Sequence, residues 1–297
     1  MPAPRDWLGL LGIVIIWGSA FLLINIAVAE MDPLVITAGR LWIGLLVMAA
    51  TMQLMGKRFP VNPYHWPYFL TMAVMGNCLP FYLIAWGQQF IDSGEAGILM
   101  AMVPLQVVVL AHLFIPSERL NWMRGLGFLV GFIGVIILFD PTSLTGLLGG
   151  DAQTGRLAVF AGGTCYAVAT VLAQRQPTED PYQAALGSVF VACLVMAVAM
   201  AVTRTPISLG ASRAAMLSVL GLGIFATGGA TLLYFYLARQ AGAGFLSLTN
   251  YLVPCMAAAL GAWVAGEALA RNTLVALPVI LAGIAISQRR PPTLPSS

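Results

Sequence analysis

One arginine, Arg40, lies inside an apolar stretch of the sequence, seven residues after the proline that opens the stretch. A basic side chain within a membrane span is costly and marks a place where it meets a partner. Its forked guanidinium is suited to a substrate carboxylate. It is equally suited to a structural role, as an ion pair or cap with Asp92, Glu95 or a backbone carbonyl. The residue type and position leave both interpretations open.

Few other titratable groups accompany Arg40. Glu95 lies at the start of the fourth apolar stretch and His112 about two-thirds along it, whereas the middle of every stretch lacks Asp and Glu. A proton-coupled carrier usually keeps a buried carboxylate or histidine as its relay. The scarcity of acids therefore favours facilitated diffusion or exchange, with Glu95 and His112 as candidate charge or gating residues. The alternative for His112 is a hydrogen-bonded histidine near the inner face.

With so few charges, a binding site must be built from aromatic rings, amides and apolar walls. Tyr82 and Trp86 are four residues apart and share one helix face. Each candidate has an alternative role in helix packing. The predicted substrate-binding residues are Trp17, Trp42, Asn77, Tyr82, Trp86, Met102, Tyr166, Tyr234, Asn250, Tyr251 and Trp263.

Prolines and a glycine pair interrupt several of these stretches. Because proline removes a backbone donor and clashes with the preceding turn, it kinks a helix and frees a carbonyl. Small residues either allow close helix packing or loosen a helix as a hinge. The candidate gating positions of this kind are Pro80, Pro104, Gly228, Gly229 and Pro254.

The composition identifies the elements that must position these residues. Of 297 residues, 60% are hydrophobic and 8% are charged, with mean hydropathy +0.90, which excludes a soluble globular protein, a large catalytic module and a DNA-binding domain. Runs of about 20 apolar residues are typical of membrane-spanning helices and too long for barrel strands. We predict an all-α polytopic membrane protein with ten transmembrane helices near 7–28, 33–55, 66–90, 95–115, 122–139, 156–174, 182–203, 212–237, 243–265 and 271–288.

Basic residues are distributed unevenly between the two sides of such a bundle. With the N-terminus in the cytoplasm, nine Lys and Arg residues fall inside and four outside, as the positive-inside rule requires. The first stretch is too long for a signal peptide and is expected to be retained. We predict a multi-pass protein of a bacterial-type inner membrane with both termini cytoplasmic.

The chain also repeats itself. Asp32-Pro33 opens the second stretch and Asp180-Pro181 the seventh, 148 residues later, while Val-Pro in the fourth stretch recurs in the ninth. Because each copy has five spans, the copies enter the membrane in opposite senses, which is the architecture of alternating access. The expected organisation is a first repeat over 1–140, a connecting loop over 141–155, a second repeat over 156–290 and a disordered tail over 291–297.

Several of these residues together resemble the EamA-type drug/metabolite transporters. They are the segment Trp17 to Phe21, Pro33 followed by Arg40, Gly266-Glu267, and glycine-rich fifth and tenth spans. The resemblance covers essentially all ten spans and extends to the family's exporters of aromatic and other amino acids. It implies a ten-helix basket around a central cavity. Since transporters of other substrates in the family share the arginine, it favours the structural role for Arg40.

The resulting functional prediction is an exporter of small amphipathic metabolites, foremost aromatic and other neutral amino acids. The alternative is an exporter of lipophilic drugs or aromatic cations, which an aromatic wall can bind. Protease, nucleotide-binding and channel motifs are missing from the sequence, so an enzyme is not expected, nor is a cofactor or metal. The expected partners are the small-molecule substrate and the lipid bilayer, without nucleic acid, in a monomer or weak dimer.

Overall fold

The computed structural model describes residues 3–57, 59, 62–115, 122–138, 150–174, 180–206, 210–268 and 270–287. Within these ranges the regular structure is helical, and eight helices are long and apolar enough to cross a membrane. Two shorter apolar helices, Trp122–Leu138 and Arg271–Ser287, are described over 17 residues each. The helices are α1 Pro4–Val28, α2 Pro33–Leu54, α3 Trp66–Gly87, α4 Ser93–Phe114, α5 Trp122–Leu138, α6 Asp151–Ala173, α7 Pro181–Thr203, α8 Arg213–Gln240, α9 Gly244–Val264 and α10 Arg271–Ser287.

These helices confirm the all-α membrane class, and their bounds follow the predicted spans closely, except for α6. That helix begins at Asp151 rather than at 156, so the last residues expected in the connecting loop are helical. Its first turn is polar, and such a turn can extend into water beyond an apolar span. Residues 141–149, the rest of that loop, and the tail over 291–297 lie outside the described residues. Because eight helices meet the length for a span within the residues that the structure describes, ten crossings stay a prediction.

The two Asp-Pro pairs explain where α2 and α7 begin. Asp32 accepts a hydrogen bond from Leu34 N at 2.7 Å, and Asp180 accepts one from Tyr182 N at 3.0 Å. In each case the proline occupies the first helical position, where its missing N–H leaves no bond unmade. The same capping device therefore starts corresponding helices in the two copies.

The helices of the two copies pack against each other through small residues. Helix α5 packs on α10, α2 on α8, and α1 and α4 on α9. In the α5–α10 contact, a Cβ placed on Gly127 would lie 2.5 Å from the carbonyl oxygen of Gly283, so neither glycine can be enlarged without separating the helices. The interface between the repeats runs through the centre of the bundle.

Consecutive helices run in opposite directions, so the bundle has two distinct ends. The end that contains the turns 29–32, 88–92 and 265–268 is called here the far end. The near end contains the start of α1 and an ion pair between Lys57, after α2, and Asp180, before α7. This geometry places the first residues of α4 beside the last residues of α9.

Two corresponding helices contain π-helical segments, in which the backbone bonds run from residue i to i+5. The segment in α3 covers Val74–Cys78 and the segment in α8 covers Leu222–Gly229. Their first residues are 148 positions apart, the same offset as the Asp-Pro pairs. The duplication therefore extends to a local irregularity of a kind that is frequent at functional sites.

Two other helices that contain proline are interrupted. Helix α4 is interrupted by a turn at Ala101–Met102, which ends two residues before Pro104. In α9 the turn lies at Ser247–Leu248, and Pro254 itself lies inside the continuous helix Thr249–Val264. The break in α9 is therefore earlier than Pro254 alone would place it.

Candidate functional site

Arg40 is buried at the centre of the interface between α2 and α8, with 6% of its surface exposed. Its Nε donates a hydrogen bond to Thr227 Oγ1 at 3.2 Å, and its guanidinium carbon lies 3.7 Å from the centre of the Phe81 ring. Within the described residues, no carboxylate forms an ion pair with it. The expected structural pair with Glu95 is wrong, because Glu95 pairs instead with Arg156 of α6, Oε1 to Nε at 2.5 Å.

Close packing of α2 on α8 brings Arg40 to Thr227. A Cβ on Gly44 would lie 2.5 Å from Thr227 Cγ2, and a Cβ on Gly223 would lie 2.5 Å from Ile43 Cβ. Thr227 and Gly223 both belong to the π-helical segment of α8. The segment therefore presents the hydroxyl that holds Nε, and glycines on both helices leave the room for it.

Three predicted site residues lie near Arg40, Phe81 and Thr227. The Tyr166 ring is centred 6.3 Å from the Phe81 ring. Trp17 donates its indole N–H to the carbonyl of Ala226, the residue before Thr227, at 3.2 Å, and its ring is centred 5.5 Å from that of Tyr234. The structure thus brings Trp17, Arg40 and Tyr166 to one region. We call these three residues, together with Phe81 and Thr227, the Arg40 cluster. Tyr234 borders it through Trp17.

Phe81 and Thr227 were not among the predicted binding residues. Phe81 is four residues after Asn77 and so lies on the same face of α3, the spacing that could have identified it. Thr227 adjoins the predicted hinge residues Gly228 and Gly229. Of these glycines, Gly228 packs against Val47, whose Cγ1 a Cβ would meet at 2.7 Å. This contact shows close packing at Gly228, while a hinge there stays a prediction.

Two predicted cavity-lining tryptophans lie on the surface of the bundle, and for these the prediction is wrong. Trp42 is 42% exposed and Trp263 is 86% exposed. Trp42 follows Arg40 by two residues, about 200° around the helix, so an inward Arg40 directs Trp42 outward. Trp263 follows the buried Gly261 by the same two residues. Both fit a lipid-facing or interfacial position.

The other predicted residues are separate from the Arg40 cluster or in local contacts. Asn77 donates to the Met72 carbonyl at 3.2 Å, a bond within its own helix. Trp86 packs against Phe90, with ring centres 4.9 Å apart, and Met102 is buried in the turn of α4. The half-buried ones are Tyr82 in α3, His112 in α4, and Asn250 and Tyr251 in α9. Pro80 and Pro104 follow helix irregularities by two residues, whereas Pro254 lies inside a continuous helix.

Two cavities lie away from this region. A cleft of about 470 Å³ between the near ends of α4 and α6 is lined by Leu110, Phe114, Ile115, Val168, Val171, Leu172 and Gln174. An open groove of about 730 Å³ separates α3 from α7. Both are predominantly apolar, and neither is lined by the predicted binding residues. The central aromatic-lined cavity stays a prediction.

Comparison with known proteins shows that the chain matches one family model twice. The model described as the EamA-like transporter family matches residues 7–140 and again residues 153–288. The two matches divide the chain as the repeated Asp-Pro pairs and π-helical segments do. The internal duplication predicted from the sequence is thereby confirmed.

Curated relatives extend over nearly the whole chain. The uncharacterized transporter YoaV of Bacillus subtilis is 22% identical over 278 residues, covering 93% of this chain and 94% of its own. The uncharacterized inner membrane transporter YedA of Escherichia coli K12 is 26% identical over 287 residues, covering 93% and 88%. Protein PagO of Salmonella typhimurium is 24% identical over 276 residues, covering 90% and 88%.

A solved structure, described only as the crystal structure of a protein, has the same fold. It superposes with a TM-score of 0.67 over 97% of each chain, at 20% sequence identity. At this identity the likeness shows the fold alone.

Proposed function

Because the chain belongs to the EamA-like transporter family, we propose that it exports small amphipathic metabolites, foremost aromatic and other neutral amino acids. The substrate passes through a central site by alternating access, and the Arg40 cluster is part of that site. The observation that carries the proposal is the state of Arg40, a buried cation whose described contacts include no carboxylate. We therefore propose substrate contact for Arg40, where the family resemblance favours a structural role.

A buried charge without a counterion is strongly destabilising, so proteins seldom keep one without a functional reason. The one described hydrogen bond of Arg40 uses Nε, and the two terminal nitrogens carry the donors that bind a carboxylate in forked geometry. A substrate carboxylate supplies the missing counterion. The α-carboxylate of an amino acid meets this requirement.

The surroundings of Arg40 suit the rest of such a molecule. The rings of Phe81, Tyr166 and Trp17 offer apolar surface to an aromatic or aliphatic side chain. A lipophilic cation, by contrast, would meet the positive charge of Arg40 in a medium where repulsion is poorly screened. The cluster therefore favours amino acids over the drug or aromatic-cation alternative.

The orientation follows from the charges. The positive-inside rule favours a cytoplasmic near end with both termini inside, and a far end facing the periplasm or exterior. The relative YedA is described as an inner membrane transporter, which supports the same location here. We propose a monomer or weak dimer that exchanges the two packings of its inverted repeats.

The direct test is uptake of labelled phenylalanine, methionine and threonine into proteoliposomes, with and without a pH gradient. Saturable uptake without the gradient is expected, because the middle of every span lacks an acidic relay. Empty liposomes and liposomes with heat-denatured protein serve as controls. If folded protein takes up none of the three, the amino-acid proposal is wrong and the membrane-transporter assignment alone stands.

A further inference from the structure

A carboxylate from the second repeat caps the first turn of a helix in the first repeat. Glu267, three residues after α9, accepts hydrogen bonds from Ser93 N at 2.9 Å and Ser93 Oγ at 2.6 Å through Oε1, and from Gly94 N at 2.9 Å through Oε2. The residue that precedes α4, Asp92, makes no side-chain capping bond. The free N–H groups at this helix start are therefore satisfied from the opposite repeat.

The backbone conformation after α9 places the Glu267 carboxylate at the start of α4. Gly266 has φ +67°, a left-handed conformation that favours glycine, and Glu267 N–H bonds back to the Gly261 carbonyl at 3.0 Å. This closing turn folds Glu267 over the end of its own helix. A Cβ on Gly261 would lie 2.2 Å from Glu267 Oε2 and 3.1 Å from Gly94 N, so the close approach requires a glycine there as well.

The far half of α4 is bound to α9, whereas the near half is bound to a different helix. Next to the Glu267 cap, a Cβ on Gly97 would lie 2.3 Å from Ala257 Cβ. Beyond the turn at Ala101–Met102, Gln106 donates instead to Thr164 of α6 at 3.0 Å. The turn thus divides α4 into a part that closes the far end against α9 and a part that lines the near-end cleft with α6.

We propose that Glu267 is a gating residue of the transport cycle: its cap on α4 holds the far end closed, and release of the cap lets α4 and α9 separate there. This inference rests on the alternating access proposed above. The cap is a small set of charge-assisted bonds at one place, next to the packing of Gly97 on Ala257, and these bonds can form and break as a unit. Inverted repeats require that one end opens while the other closes.

Two other carboxylates, those of Asp92 and Glu95, lie near the cap that Glu267 forms. Burial and the charge of Glu267 raise the pKa of Asp92, so two acidic groups share the site. The nearby Glu95 is paired with Arg156 of α6. The charge of Asp92 therefore repels the carboxylate that forms the cap.

The test is a distance measurement between spin labels on cysteines placed at Gln89 and Ala268, two exposed positions in the far-end turns of α3–α4 and α9–α10. The background replaces Cys165 and Cys255, and the protein is held in lipid nanodiscs without substrate. With native Glu267, one short-distance population is expected. Glu267→Gln is expected to add a population several ångström longer, because the amide cannot accept at both positions.

The matched control is Glu30→Gln. Glu30 also lies at the far end and also accepts from the start of another helix, from the N-cap residue Ser212 N at 2.7 Å, but it joins α1 to α8. This variant is expected to leave the α4–α9 distance unchanged. If Glu267→Gln gives the same single population as Glu30→Gln, the gating role is refuted.

Ser93→Ala covers the case in which Glu267→Gln does not fold. It removes the hydroxyl bond and leaves both backbone bonds to Glu267, so a smaller long-distance population is expected; an unchanged distribution overturns the proposal. Because the measurement uses no substrate, a failure of amino-acid uptake does not affect it. Likewise, an unchanged distance leaves the amino-acid proposal standing.

Discussion

Arg40 Nε and Thr227 Oγ1 are 3.2 Å apart although 187 residues separate them along the chain. The bond crosses the boundary between the two repeats and fixes the guanidinium beside the Phe81 ring. Nε is occupied by this bond, and the two terminal nitrogens have no hydrogen-bond partner among the described residues. The proposed contact between Arg40 and a substrate carboxylate can be tested in two ways, by changing the substrate and by changing the protein.

On the substrate side, phenylalanine should compete for labelled phenylalanine uptake much better than phenethylamine, which has the same ring and amine without the carboxylate. Hydrogen bonds to a charged group contribute about 1.5–3 kcal/mol, which corresponds to an inhibition constant about 10- to 100-fold higher for phenethylamine. Inhibition curves in proteoliposomes measure this. Equal or stronger inhibition by phenethylamine would support the aromatic-cation alternative instead.

On the protein side, Thr227→Val should raise the KM for phenylalanine by about 5- to 30-fold, since Nε loses its acceptor and the guanidinium loses its orientation. Thr227→Ser keeps the hydroxyl and should restore most of the affinity. The matched control is Thr37→Val, a buried threonine of α2 that bonds within its own helix, to the Pro33 carbonyl at 2.7 Å. If Thr227→Val leaves the KM unaltered, Thr227 does not contribute to substrate binding.

Trp17→Phe tests the support of the π-helical segment. The change removes the indole N–H bond to the Ala226 carbonyl and keeps an aromatic ring near Tyr234. A single hydrogen bond contributes about 0.5–1.5 kcal/mol, so we expect a loss of about 2- to 10-fold in uptake efficiency. Trp263→Phe, at an 86% exposed position, is the control and should transport normally. Equal activity of both variants would contradict this support role.

The sequence predicted the elements well because the signals are local. An apolar run of about 20 residues gives a helix whatever its neighbours are, and an Asp-Pro pair caps a helix wherever it stands. Arg40, Trp17 and Tyr166 could be identified by type and depth in the span. The acceptor on Thr227 could not, because nothing local relates positions 187 residues apart.

The remaining errors come from helix rotation and packing. The position of a residue along a span does not determine which way its side chain points. Trp42 and Trp263 were therefore predicted to line the cavity, although both face outward. The π-helical segments have the same apolar pattern as an α-helix and depend on contacts such as Gly44 against Thr227. The partner of Glu95 could not be identified because nothing local relates it to Arg156, which lies 61 residues later in the chain.

Asp92→Asn should stabilise the protein at neutral pH and not at acidic pH. Burial, followed by the Glu267 charge, raises the pKa of Asp92 above its usual value. The folded state therefore binds this proton more readily than the unfolded state, and ionisation of Asp92 lowers stability as the pH rises through the two values. Because Asp92 is only partly buried and solvent still reaches it, screening keeps the gain below about 1 kcal/mol, or roughly 1–3 °C at pH 7.

Thermal midpoints of both proteins in detergent, measured from pH 4 to pH 8, check this sign. The gap between Asp92→Asn and the native protein should close as the pH falls. A native protein more stable than Asp92→Asn at neutral pH, with that difference lost as the pH falls, would mean that the carboxylate of Asp92 is stabilising when charged, contrary to its position beside Glu267.

The most direct test of the central claim measures stability and transport together in Arg40→Met. If Arg40 is kept for a substrate carboxylate, replacing a buried, unpaired charge by an apolar side chain should raise the thermal midpoint by about 2–8 °C. The same change should abolish saturable phenylalanine uptake. A lowered midpoint would show that Arg40 stabilises the fold, and retained uptake would show that the substrate does not need it; either result contradicts the account.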